Sequence, residues 1–139
     1  MDANEENLFK QEGYELMAAA FAVYQELGAG FLEEVYQEAM EIELTTRGIP
    51  FVSRPRLQIE FKGRVLHSYY AADLLVHSAS VVELKAVRAL APEHEAQLLN
   101  EMKAIRARVG YLMNFGAPSR LQWYRRVNSL NPLASISVP

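Results

Sequence analysis

The sequence predicts a single α/β domain with a mixed central sheet flanked by helices. Three observations point there. Apolar residues recur at helical spacing through the first fifty residues, the period changes to two at Phe51, and a helical stretch separates two strands that are apolar almost throughout. At 139 residues, 50% hydrophobic and 22% charged, the chain has the length and balance of one folded domain.

In the first helix, Tyr14, Met17, Ala18, Phe21, Tyr24 and Leu27 form one apolar stripe. Gly28-Ala29-Gly30 stops it, because glycine takes left-handed conformations cheaply. A second helix is expected over 31–47, burying Leu32, Val35, Tyr36, Ala39 and Ile42, and Gly48 and Pro50 end it. Leu57, Ile59 and Phe61 then alternate with Gln58, Glu60 and Lys62, as in a half-buried strand. Lys62-Gly63 is a turn, and 65–76 reads as one long strand pairing back in a hairpin. A second turn at 77–80 leads into the strand 81–86. The helix 92–108 turns Leu98, Leu99, Met102 and Ile105 inward. The strand 109–115 is buried, Gly116-Ala117-Pro118 breaks it, and 121–127 is an edge strand. The domain is expected over 14–127, between an N-terminal extension, 1–13, and a loosely held tail, 128–139, rich in Ser, Asn and Pro.

The chain has no cysteine, which excludes a disulfide scaffold, a thiolate zinc site, an iron–sulfur cluster and a cysteine nucleophile. No histidine pair has zinc-ligand spacing, and His67 and His77 are given no role. No apolar run approaches the roughly 20 residues that span a bilayer. The acidic start, Met1-Asp2-Ala3-Asn4-Glu5-Glu6, lacks the basic and apolar regions of a signal peptide. The expectation is a soluble cytoplasmic protein with no membrane association. The net charge of −3 hides an asymmetry: residues 1–50 hold 11 acidic side chains against Lys10 and Arg47, whereas 51–139 hold 12 basic against six acidic. A basic face in the C-terminal part is compatible with a polyanionic partner, as it is with ordinary surface charge.

Charges inside apolar strands need an explanation. In Val81-Val82-Glu83-Leu84-Lys85-Ala86, Glu83 and Lys85 are two apart and share one face of the sheet. Asp73 stands in Tyr70-Ala71-Ala72-Asp73-Leu74-Leu75-Val76, and pairing about Ser78-Ala79 brings it near residues 83–85. Two carboxylates together resist desolvation unless a cation or proton compensates them. A magnesium ion, which takes carboxylate oxygens, is one compensation, and it would activate water against a phosphoryl group with a lysine stabilising the charge. A structural ion pair of Lys85 with Glu83 or Asp73 is the other. On the second helix Glu33, Tyr36, Gln37 and Met40 share a side, so Glu33 either reaches the metal patch or is a solvated first-turn glutamate favouring the helix dipole. His94 and Gln97 lie one turn apart on the later helix with Glu101 on the same semi-polar side, and they face either the strand ends or solvent. The strand aromatics, Tyr69, Tyr70, Tyr111, Trp123 and Tyr124, suit packing or edge covering better than base stacking.

Together these residues resemble a known pattern. Gly30-x-x-Glu33-x-x-Tyr36 is the signature of the GxxExxY family, placed in the PD-(D/E)XK nuclease superfamily. Ala72-Asp73-Leu74-Leu75-Val76, Val82-Glu83-Leu84-Lys85-Ala86, His94-Glu95-Ala96-Gln97-Leu98-Leu99-Asn100 and Val109-Gly110-Tyr111-Leu112-Met113-Asn114-Phe115-Gly116 resemble its acidic strand, Glu-x-Lys strand, following helix and last core strand, so the resemblance spans 14–127. It implies a restriction-endonuclease-like αβββαβ core and a magnesium-dependent site, with manganese as a substitute. It puts metal-binding carboxylates on Asp73 and Glu83, a further metal ligand on the main-chain carbonyl of Leu84, and the catalytic lysine on Lys85. Glu33 would complete the metal shell and Gln97 would be the accessory polar residue. Two departures are Ala71, where the family often has arginine, and 104–108, where the family's helix end differs.

The leading expectation is therefore a metal-dependent nuclease acting on nucleic acid, DNA favoured over RNA. A second reading is a catalytically silent nuclease-fold module that binds nucleic acid or a protein partner. A third is a homodimer paired through residues 121–127.

Overall fold

A computed structural model describes residues 9–128. Its elements run α1 (Lys10–Leu27), α2 (Glu33–Thr46), β1 (Phe51–Ser53), β2 (Arg56–Phe61), β3 (Arg64–Ala71), β4 (Leu74–Val76), β5 (Ser80–Lys85), α3 (Pro92–Ile105), β6 (Val109–Asn114) and β7 (Gln122–Val127). Five strands form one sheet in the order β1-β4-β5-β6-β7, and β2 and β3 form a separate two-stranded ribbon. Only β5 and β6 run parallel, joined through α3, and every other pair in the sheet is antiparallel. The expected α/β domain with a mixed, helix-flanked sheet is what forms. Residues 1–8 and 129–139, most of the expected extension and tail, lie outside the described residues, and Lys10–Gly13 belong to the first turn of α1.

The sheet is covered on both faces. Val82 and Leu84 join Tyr36, Met40 and Leu44 of α2 and Leu16, Ala19, Ala20 and Val23 of α1 in one core. Val81 and Leu112 pack with Leu98 and Met102 of α3 and with Leu57 of the ribbon in the other. The alternation of β5 thus sends even positions toward α1 and α2, and odd positions, Glu83 and Lys85 among them, toward α3. Gly116 lets β6 close against the exit of β5: a Cβ there would lie 2.4 Å from the Val87 nitrogen and 2.5 Å from the Ala86 carbonyl carbon. Among the described residues, no helix is long and apolar enough to cross a membrane.

Several local expectations are corrected. Residues 65–76 do not form one strand. The chain breaks at Ala72-Asp73, so β3 stays in the ribbon and β4 enters the main sheet. The break holds because the Asp73 carbonyl accepts from the Arg54 N–H at 3.0 Å and from Gln37 Nε2 at 2.9 Å, while its carboxylate takes the Leu84 N–H that a continuing strand would bond. The buried face of α1 is Leu16, Met17, Ala19, Ala20 and Val23, and Tyr14 and Phe21 are exposed. Small alanines let α1 lie close to its neighbours, and Phe21 instead meets the edge of Trp123 on β7. On α2, Leu32 and Ile42 are exposed, while Tyr36, Gln37, Met40 and Leu44 are buried. On α3, Leu99 is exposed.

Candidate active site

The register of β4 on β5 pairs Leu74 with Val82, so Asp73, one residue before β4, stands opposite Glu83. Both carboxylates are locked by main-chain N–H groups across the β4–β5 end. Asp73 Oδ2 accepts the Leu84 N–H at 2.7 Å, and Glu83 Oε1 accepts the Asp73 N–H at 3.1 Å. The Leu84 carbonyl leaves the strand on the same edge as its N–H, toward Asp73. Lys85 Nζ lies 3.9 Å from Glu83 Oε2 and donates to Gln97 Oε1 at 3.2 Å. The Gln97 amide donates to Glu83 Oε2 at 3.3 Å and to Glu101 Oε2 at 3.2 Å, so α3 and β5 are joined through one side chain.

Glu101, on the same side of α3 as Gln97 and with no role expected of it, also takes part. It is 1% exposed, Glu83 is 2% exposed, and Glu101 Oε1 has no hydrogen-bond partner. Burial, the Glu101 hydrogen bond and the nearby Asp73 charge push the Glu83 carboxyl up to about 10, so it holds a proton at neutral pH. Burial raises Glu101 as well, although its bonds to Glu83 and Gln97 oppose that. Two carboxyls this deeply buried and this close resist ionising together.

Glu33 opens α2 and is exposed. Partial burial raises its carboxyl; the Lys85 ammonium acts against that and Asp73 with it, which places its charge within range of both groups. It makes no hydrogen bond to them. Its position is fixed by Tyr36, whose hydroxyl donates to the Gly28 carbonyl at 2.5 Å and accepts the Phe31 N–H at 3.2 Å, while its ring stacks on Phe115 with centroids 4.7 Å apart. Gly30, with φ of 115°, supplies the turn between the helices that a side chain would strain. Gly30, Glu33 and Tyr36 thus form a device that sets the angle of α2 over the sheet end. Gln37, one residue on, is buried and holds the Asp73 carbonyl. His94 is used locally: its Nδ1 accepts the Ala91 N–H at 2.9 Å and caps α3.

The donor set suits a hard divalent cation: the Asp73 and Glu83 carboxylates and the Leu84 carbonyl are all oxygen. The Glu101 Oε1, buried and without a hydrogen-bond partner among the described residues, and the desolvated Glu83 beside it mark a spot where positive charge is missing. Among the described residues, no three His, Asp or Glu side chains are drawn into a ready-made cage.

The sequence pattern of the PD-(D/E)XK nuclease superfamily matches residues 10–127. Among solved structures, the crystal structure of SSO0001 is similar in fold, with a TM-score of 0.56 and 17% sequence identity over 94% of this chain and 64% of that one. This chain thus spans under two thirds of that protein's length, and the likeness concerns the fold alone. None of the curated proteins matches the sequence.

Proposed function

This chain belongs to the PD-(D/E)XK nuclease superfamily, and from that premise we propose that it is a metal-dependent nuclease, hydrolysing phosphodiesters of nucleic acid, with GxxExxY as its subfamily. One observation carries the reading. Two carboxylates, Asp73 at the break before β4 and Glu83 on β5, are fastened to the Leu84 and Asp73 N–H groups beside the ammonium of Lys85. A fold indifferent to chemistry gains nothing from desolvating these groups together.

Asp73, Glu83 and the Leu84 carbonyl would hold Mg²⁺ or Mn²⁺, with Glu33 completing the shell from α2. When bound, such an ion polarises the phosphoryl oxygen and acidifies water. Lys85 donates to the attacking water and to the phosphoryl oxygens where charge accumulates. Gln97 fixes the Lys85 ammonium through its amide oxygen, and Gln37 fixes the main chain of Asp73. DNA is the favoured substrate over RNA, and the cysteine-free composition suits a reducing cytoplasm.

Incubation with single- and double-stranded DNA and RNA, with Mg²⁺ or Mn²⁺, tests this. The wild type cleaves, and Lys85→Ala loses at least about 100-fold in rate, as removal of one charge-stabilising donor does. Equal cleavage by both proteins rejects the assignment. A silent module would bind nucleic acid and show no calorimetric Mn²⁺ binding that Asp73→Asn abolishes.

A further inference from the structure

The β2–β3 ribbon uses only one face to build the fold. Leu57 and Tyr70 pair across it and turn toward α3. The opposite face carries Arg56, Gln58, His67 and Tyr69, with Gln58 paired to Tyr69. All four are exposed, and with Val65 and Leu66 they line a shallow hollow of about 300 Å³. The Arg56 guanidinium lies 4.8 Å from the centre of the Tyr69 ring. Val65 is 53% and Leu66 40% exposed, apolar surface that no element of the fold covers.

The charge of the ribbon narrows what this face meets. From 56 to 71 it carries Arg56, Lys62 and Arg64 against Glu60 alone, net +2 in a chain whose net charge is −3. By register Arg64 pairs with Phe61 on the other side, Lys62 stands in the turn and Glu60 faces Val65 at the far end, so the positive part of the outer face is its end nearest Asp73, with Arg56 opposite Ala71. A cation there beside an aromatic ring and an amide suits a polymer with both phosphates and bases. It also lies close to the chemistry. β3 ends at Ala71 and Ala72 leads directly into Asp73, so the Cα atoms of Tyr69 and Asp73 are four residues and at most roughly 14 Å apart. That is about four base steps along a strand, at roughly 3.4 Å each.

We propose that the outer face of this ribbon is the nucleic-acid grip of the domain. Arg56 meets a phosphate or a base edge, Gln58 a base edge, and the Tyr69 ring a base or sugar face, which leads the strand toward Asp73 and Glu83. This rests on the nuclease reading for the direction of the strand, but the binding itself does not require cleavage. The register bulge between Gln58 and Glu60 gives the ribbon added twist, as strands that follow a helical polymer need.

The test uses the full chain and the double variant Arg56→Glu/Tyr69→Ala. Both positions are exposed, so the variant keeps the melting temperature of the wild type. Fluorescence anisotropy with labelled duplex DNA, single-stranded DNA and single-stranded RNA, in Ca²⁺ to suppress turnover, gives affinities, and the salt dependence counts phosphate contacts. The expected result is a loss of roughly tenfold or more in affinity with a shallower salt slope, at unchanged Mn²⁺ binding. The arm that loses most identifies the polymer held. If the variant binds as well as a wild type that cleaves, the ribbon proposal falls and the nuclease reading stands. If the wild type binds through the ribbon but does not cleave, the nuclease reading falls alone. No binding by the wild type to any of the three overturns the ribbon proposal, and so does a dimer, seen by sedimentation, that only the wild type forms.

Discussion

Glu101 sits on α3 one turn beyond Gln97, almost without solvent, beside the raised carboxyl of Glu83. Two desolvated carboxyls in contact do not both ionise. The folded, metal-free protein therefore keeps a proton that the unfolded chain gives up near its ordinary value of 4.5, and for Glu83 the folded value is pushed up to about 10. Between those limits the folded state binds more protons than the unfolded one, so stability falls as pH rises. Thermal melts in chelator should show Tm falling from about pH 5 to about pH 9, with Glu101→Gln flattening the slope. A flat wild-type profile would mean that the pair is solvated and ionised in solution. This residue also shows where legibility ended. Asp73, Glu83 and Lys85 stood out because charges interrupt apolar strands. Glu101 and Gln37 lie on helices, where a polar residue at every third or fourth position is ordinary, and only packing reveals that both are buried.

At the scale of elements, the α1–α2 junction is held by the Tyr36 hydroxyl between the Gly28 carbonyl and the Phe31 N–H. Tyr36→Phe removes both bonds and keeps the ring on Phe115. It should cost about 1–2 kcal/mol, the worth of a pair of partly buried hydrogen bonds. Tyr36→Ala also empties a fully buried volume and should cost about 3–5 kcal/mol. Chemical denaturation of both variants checks this, and equal losses would show that the hydroxyl alone matters and the ring adds nothing. The junction also sets where Glu33 stands, so Tyr36→Phe should slow cleavage more than it weakens nucleic-acid binding. The elements were readable to different depths. Helices, the β5–α3–β6 crossover and the edge strand β7 follow from period and punctuation. The split of 65–76 does not, because Ala72-Asp73 contains no glycine or proline. What breaks the strand is a set of contacts from Arg54, Gln37 and Leu84, remote in sequence. The inward faces of α1 and α2 differ from the pattern for a related reason: bulk suggests burial, whereas small alanines and a hydrogen-bonded glutamine make the close contacts.

For the whole molecule, the site lies where the sheet end, α2 and α3 meet, so what binds there acts on global stability. On the proposed reading, a divalent ion held by Asp73 and Glu83 would take the place of the Glu83 proton, and its binding would release that proton. Affinity therefore grows with pH over the same range in which the metal-free fold weakens. The stabilisation by Mn²⁺ follows mass action, about 2.7 kcal/mol at a free concentration 100 times the dissociation constant. At fixed Mn²⁺, the rise in Tm should thus be small near pH 5 and larger near pH 8, so the declining metal-free profile becomes level or rising. Asp73→Asn removes a proposed anionic ligand and should abolish the rise at every pH, while Lys85→Ala should keep it, because the role proposed for the ammonium is toward water and phosphate and not toward the ion. A rise independent of pH, or one that survives Asp73→Asn, would place the ion away from the paired carboxylates and leave Lys85 without a metal-activated water to orient.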